Sequence, residues 1–144
     1  MSRIEIHLPE KFVFATEIEV RVSDLNYGNH VGNDNVLTLM QEARTLFYRS
    51  MGFKGEVNLE GSIGQLVTDA AIVYKAESFL GDILRFEIAV ENFNKYGFDV
   101  FYRITHKLTG KAVAHGKTGI VCFDYSKRKI ATIPAPLMEK LKSL

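Results

Sequence analysis

The 144-residue sequence predicts an α+β domain in which one long helix covers one face of an antiparallel sheet. Apolar residues recur at helical spacing over one long stretch, between residues 35 and 51. Most of the remaining chain alternates between apolar and polar residues, which is typical of half-buried strands, and short turns separate the later stretches. Because neither repeats nor linkers interrupt this order, we interpret residues 1–144 as a single domain.

The long helix follows a loop, residues 23–34, that is rich in glycine, asparagine and aspartate. Asn33 or Asp34 is predicted to cap the start of the helix, and Gly52 to end it. Its apolar stripe, which must lie on another element, consists of Val36, Leu39, Met40, Ala43, Leu46, Phe47 and Met51.

The predicted strands span residues 16–22, 65–74, 83–93, 98–106 and 111–123, and a short helix spans 137–144. In the first strand, Ile18, Val20 and Val22 are expected on the buried face. Short turns predict hairpins between the last three strands. One helix leaves sheet edges open, and pairing with a second subunit is one way to protect them.

Composition argues against several classes of function. The formal net charge of +1 gives no strong attraction to nucleic acid or to a membrane surface. Cys122 is the only cysteine and lies in an apolar run, so we expect a buried strand residue and no internal disulfide. The four histidines lack metal-ligand spacing, so no metal and no cofactor are expected. Without a signal-like or membrane-spanning stretch, the expected location is cytoplasmic.

The loop and helix carry a recognisable pattern. Residues 24–33 read D-x-N-x-x-x-H-V-x-N, and residues 41–44 of the helix read Q-E-A-R. This resembles the 4-hydroxybenzoyl-CoA thioesterase-like branch of the hotdog superfamily, which typically reads D-x-D-x-x-x-H-V-N-N here. Residues 79–84, 110–116 and 133–134 match in the same order, so the resemblance covers roughly residues 16–136.

The resemblance implies a hotdog fold, in which an antiparallel sheet wraps around one central helix. It also implies a homodimer or homotetramer that binds an acyl-CoA, or an acyl carrier protein thioester, where two subunits meet. The thioester is expected near the N-terminus of the central helix. The implied activity is that of an acyl-CoA thioesterase.

Thioester hydrolysis needs a base or nucleophile together with donors for the developing oxyanion. A helix N-terminus offers free backbone N–H groups, and we expect those near Gly32 and Asn33 to serve as donors. Tyr27 and Gly28 complete the predicted substrate-binding set, since glycine lets the backbone approach a ligand closely.

The sequence departs from the family pattern at the second acidic position. The resemblance implies a catalytic aspartate there, and this sequence has Asn26. An amide is neither a carboxylate nucleophile nor a useful base. His30 is one replacement, because imidazole titrates near neutral pH. Glu42 on the helix is another, and Asp24 is a candidate supporting residue. Otherwise the site binds acyl thioesters without hydrolysing them.

Each candidate also has a purely structural interpretation. Asn26 suits a turn, while Asp24 and His30 suit caps that hydrogen-bond the backbone. Glu42 suits an ion pair with Arg44 or Arg49 on the helix surface. A hotdog hydratase is a further alternative, although the proline of the hydratase D-x-N-P-x-H pattern is absent.

Overall fold

The computed structural model describes residues 2–144 and contains every predicted element. The elements are β1 (Phe14–Glu19), α1 (Asn33–Ser50), β2 (Ile63–Tyr74), β3 (Ile83–Glu91), β4 (Gly97–His106), β5 (Ala112–Asp124), β6 (Lys129–Ile130) and α2 (Ala135–Lys142). The first strand ends earlier than predicted. Val22 begins a short 3-10 turn and is 72% exposed, so its predicted place on the buried face is wrong.

The strands form one antiparallel sheet in the order β1-β3-β4-β5-β2, with β6 paired to β5. α1 lies against this sheet and contacts β1 and β3. The predicted alternation in β3 and β4 is confirmed, because Phe86, Ile88, Val100 and Tyr102 are fully buried. These observations confirm the α+β class with one long helix on the sheet.

The ends of α1 match the prediction only in part. The N-cap residue is Gly32, and no side chain caps the helix, so the predicted cap by Asn33 or Asp34 is wrong. Asp34 lies in the first turn, where its negative charge interacts favourably with the helix dipole. At the other end, Gly52 has a φ of +98° directly after the last turn, as expected for a glycine that ends a helix.

Cys122 is fully buried in β5, as predicted. Burial raises the pKa of its thiol to about 11. The side chain therefore behaves as a small apolar core residue. Among residues 2–144, no helix is both long enough and apolar enough to cross a bilayer.

The buried side of α1 carries an arginine that the apolar pattern did not predict. Arg44 is 2% exposed, and its Nε donates to Glu56 Oε1 at 2.5 Å. Its Nη1 donates to the Tyr102 hydroxyl at 3.0 Å. The hydroxyls of Tyr102 and Thr118 are 2.8 Å apart and complete a buried polar network. Arg44 therefore pairs with Glu56, and the suggested ion pair with Glu42 is wrong.

Candidate active site

A cavity of about 410 Å³ opens where the N-terminus of α1 meets the chain that leaves β2. The loop before α1 and its first residue contribute Asn26, Tyr27, His30, Val31 and Asn33. Residues 74–78 form the facing side. The deep wall is apolar and buried, and it consists of Val36, Leu39, Leu84, Phe86, Ile104 and Val113. A polar mouth above an apolar interior suits a ligand with an apolar end and a polar reacting group.

The loop is held by its own hydrogen bonds. The backbone N–H of Asn26 donates to the His30 carbonyl at 2.9 Å, and that of Asn29 donates to the Asn26 carbonyl at 3.0 Å. Asn29 adopts a φ of +61°, a conformation that asparagine tolerates. An isolated bridge between Leu25 and Val31 closes the loop, so Asn26 and His30 face the cavity from a fixed turn.

His30 lines the cavity, and one of its ring nitrogens contacts the backbone. Its Nδ1 lies 3.2 Å from the carbonyl oxygen of Val31. A protonated Nδ1 donates to that oxygen, which leaves the lone pair on Nε2. The half-buried imidazole can then accept a proton from a molecule in the cavity.

The Asn26 side chain can donate hydrogen bonds to a ligand but cannot act as a base. Its Oδ1 accepts a hydrogen bond from the backbone N–H of Gly28 at 2.8 Å, so the carbonyl end of the amide is occupied. The Nδ2 group has no acceptor within residues 2–144, and its two hydrogens are available to a ligand oxygen.

The start of α1 supplies further donors, although not the pair expected from the sequence. The Gly32 N–H already donates to the Asp24 carbonyl at 3.2 Å, so the expectation that it serves as an oxyanion donor is wrong. The N–H groups of Asn33 and Asp34 have no acceptor within the described chain. The Tyr74 hydroxyl donates to the Asn33 carbonyl at 2.7 Å and ties the helix start to β2.

Asp24 supports the loop and does not line the cavity. Its carboxylate is buried and accepts from the Arg21 backbone N–H and from Asn35 Nδ2, both at 2.8 Å. Burial alone raises the pKa of this carboxyl, but the hydrogen bonds from Arg21 and Asn35 outweigh it and hold the pKa below its ordinary value. Asp24 therefore fits the structural interpretation, in which its carboxylate hydrogen-bonds the backbone.

The remaining predicted residues lie outside the cavity. Glu42 is exposed on α1, beside a shallow depression that also contains Arg21 and Thr38. Gly28 and Gly32 face the loop itself. A Cβ on Gly28 lies 2.9 Å from His30 Nε2, and one on Gly32 lies 2.6 Å from Asp34 Oδ1. These glycines make room for neighbouring side chains of the protein.

We expect Gly28→Ala to lower turnover about tenfold or more while leaving the fold intact. The added methyl forces the His30 ring to move, and we expect a small displacement of a side chain at the cavity mouth to lower the rate of a reaction there. Stability changes little because the imidazole end of a side chain can shift. Steady-state kinetics and thermal unfolding test this, with Gly55→Ala as the control, since its Cβ has a neighbour only at 4.0 Å. Unchanged turnover would show that the position of His30 does not matter.

The sequence does not predict the facing side of the cavity, residues 74–78. It places Tyr74 in a strand and indicates no role for the positions that follow. The available signal is the polar set Lys75, Glu77 and Ser78, which follows the end of a predicted strand. Within residues 2–144, no cluster of histidine, cysteine, aspartate or glutamate is arranged to hold a metal ion.

A protein-family model described as the thioesterase-like superfamily matches residues 20–141. The chain therefore belongs to the thioesterase-like superfamily. No curated protein matches it.

Solved structures with the same fold include coenzyme A thioesterases. A 1,4-dihydroxy-2-naphthoyl-CoA thioesterase from Synechocystis superposes with a TM-score of 0.80 at 22% identity, covering 91% of this chain and 96% of that one. A DHNA-CoA thioesterase from Staphylococcus aureus gives 0.79 at 23% identity, covering 90% and 87%. YbaW, a probable thioesterase from Escherichia coli, gives 0.71 at 25% identity, covering 89% and 96%. These likenesses confirm the predicted hotdog fold.

Proposed function

We propose that the protein is an acyl-CoA thioesterase that binds the acyl group in the cavity and the thioester at the N-terminus of α1. The observation that carries the proposal is that an apolar cavity, the unengaged N–H group of Asn33 and the side chains of His30 and Asn26 meet at one opening. Membership of the thioesterase-like superfamily and distant structural homologues that are acyl-CoA thioesterases support the reaction class.

The proposed chemistry begins with water. His30 Nε2 takes a proton from a water molecule as its oxygen forms a bond to the thioester carbon. The Asn33 N–H and Asn26 Nδ2 donate to the carbonyl oxygen, which gains negative charge in the tetrahedral intermediate. The intermediate collapses with cleavage of the carbon–sulfur bond. The departing thiolate takes the proton from the imidazolium, which releases a carboxylic acid and free coenzyme A.

A non-hydrolytic acyl-thioester binding protein is the second candidate. Asn26 favours this candidate, because the resemblance implies a carboxylate at its position. Its Oδ1 already accepts a hydrogen bond from the Gly28 N–H. The cavity is equally suited to binding alone. The two candidates differ only in whether His30 replaces the missing carboxylate.

Release of free thiol from a panel of aliphatic and aromatic acyl-CoAs tests the proposal, with binding of the same compounds measured in parallel. We expect the wild type to turn over at least one of them, and Asn26→Ala to lose about a hundredfold in turnover, as for removal of one oxyanion donor. If the wild type binds without turnover and Asn26→Asp gains activity, the native protein is a binder. Acyl carrier protein thioesters in the same assay test the choice of carrier.

The proposed assembly is a homodimer or homotetramer. Among the strands of residues 2–144, β2 forms an edge of the sheet and pairs only with β5, and Leu66 and Val67 are exposed on it. A long edge with exposed apolar residues favours pairing with a second copy. Light scattering coupled to gel filtration tests this, with Val67→Lys expected to shift the protein toward the monomer. No nucleic acid or membrane partner is proposed, and the cytoplasmic location stays a prediction.

A further inference from the structure

The start of α1 is held without a capping side chain. Gly32 is the N-cap residue, and no side chain caps the helix. A helix end that lacks such a cap is less stable than one that has it. Asn33, the first residue of the helix, nevertheless supplies an N–H group that the proposed mechanism uses. Contacts from outside the helix therefore matter for the position of this residue.

Tyr74 provides such a contact from the facing side of the cavity. Its hydroxyl donates to the Asn33 carbonyl at 2.7 Å, and both residues line the cavity. In an α-helix, the same carbonyl also accepts from the N–H group four residues further on. The N–H and the carbonyl of Asn33 are attached to the same Cα through only two soft dihedral angles. Holding the carbonyl from two directions therefore restricts the orientation of the N–H.

The backbone that carries the Tyr74 side chain is itself fixed. Tyr74 is the last residue of β2 and pairs with Ala114 of β5. Directly after it, the N–H groups of Lys75 and Ala76 both donate to the Val113 carbonyl, at 2.8 and 3.2 Å. The side chain therefore extends from an anchored strand end to the start of the helix.

The Tyr74 hydroxyl keeps its proton and so remains a donor. Partial burial and the nearby carboxylate of Asp34 raise the pKa of Tyr74 above its ordinary value. The residue is 50% exposed, so water can satisfy its hydroxyl without help from the helix. The bond to Asn33 is therefore not required to satisfy a buried group, and its main effect is to constrain the start of α1.

We propose that Tyr74 is a positioning residue, which holds Asn33 so that its N–H points at the carbonyl of the bound thioester. The inference rests on the proposed function, since it assigns the alignment of one oxyanion donor to a residue outside the loop. Alignment of a donor matters most in the transition state, when the carbonyl oxygen gains negative charge. Loss of the Tyr74 hydroxyl is therefore expected to act on kcat and to leave KM nearly unchanged.

Tyr74→Phe removes the hydroxyl and keeps the ring at the cavity. We expect kcat on the best acyl-CoA to fall about fivefold, the scale of one hydrogen bond, while KM stays within about twofold of the wild-type value. Tyr125→Phe is the matched control, because Tyr125 also donates to a backbone carbonyl, that of Gln65 at 2.8 Å, near the other end of β2. The control should leave kcat as it was. An unchanged kcat in Tyr74→Phe, or a change confined to KM, would overturn the proposal.

Hydrogen exchange at the start of α1 gives a readout that does not depend on turnover. The Val36 N–H lies in the first turn and donates to the Gly32 carbonyl at 3.2 Å. In Tyr74→Phe, this N–H is expected to exchange about fivefold faster, because the helix start has lost one hydrogen bond that holds it. Amides in the last turn of α1 should exchange as in the wild type. An unchanged exchange rate at Val36 would contradict the positioning role.

Failure of the proposed hydrolysis gives a different result. A ketone analogue of an acyl-CoA, in which a methylene group replaces the thioester sulfur, keeps the carbonyl, and a thioether analogue lacks it. If no acyl-CoA is turned over but Tyr74→Phe binds the ketone about fivefold more weakly and the thioether as tightly as the wild type, the role of Tyr74 is supported while the enzyme assignment fails. Equal affinities of variant and wild type for the ketone contradict the role of Tyr74, and absence of binding to either analogue contradicts both.

Discussion

Glu56→Ala is expected to lower the free energy of unfolding by about 3 kcal/mol, because it leaves the Arg44 guanidinium buried without its carboxylate partner. Removing one partner of a buried ion pair typically costs ~3–5 kcal/mol. The Glu56 side chain is 20% exposed and Arg44 retains its bond to Tyr102, so the lower end of that range applies. Chemical denaturation at a fixed protein concentration measures the change.

Two further variants test whether the unpaired Arg44 charge causes the loss of stability in Glu56→Ala. Glu60→Ala makes the same change at an exposed position nearby and should shift the free energy of unfolding by no more than about 0.5 kcal/mol. Adding Arg44→Met to Glu56→Ala should recover much of the loss, because an apolar side chain of similar length removes the unpaired charge. A loss below about 1 kcal/mol for Glu56→Ala would show that water reaches Arg44.

Arg44 also illustrates what a periodic pattern can and cannot predict. The apolar stripe identified the helix, its length and the face that packs on the sheet, because burial of apolar groups is read directly from residue type. An arginine between stripe positions reads as exposed. Its burial depends on Glu56, 12 residues further along the chain, and on Tyr102, 58 residues further along, and the spacing within the helix does not indicate either contact.

The candidate site shows the same contrast between local features, which the sequence indicates, and long-range contacts, which it does not. The loop from Asn26 to His30 was identifiable because its composition is unusual and its hydrogen bonds are local. Ser78 and Tyr74 join it through long-range pairing, and neither stands out by type. The hydrogen bond from the Gly32 N–H to the Asp24 carbonyl was not predictable either, because it depends on the folded conformation of the loop.

His30→Gln is expected to lower kcat by about a hundredfold or more. Glutamine keeps polar atoms at the position but cannot take a proton from water near neutral pH, and a positioned base typically contributes ~10²–10⁴-fold. Substrate binding should change little, because the apolar wall of the cavity is untouched. Steady-state kinetics on the best acyl-CoA, with thermal unfolding as a check on the fold, measures both effects.

A matched control separates loss of the base from a general effect of the substitution. His7→Gln, the same change on an exposed histidine of the N-terminal segment, should retain full activity.

A His30→Gln enzyme with more than about a tenth of the wild-type kcat would place the base elsewhere. Glu42, which is exposed on α1 and lies outside the cavity, is then the carboxylate to test. Glu42→Gln with a hundredfold loss in that case would assign catalysis to a residue supplied across the interface. Disruption of the β2 edge by Val67→Lys would then abolish turnover together with assembly, whereas a base at His30 within the same subunit leaves part of the activity in the monomer.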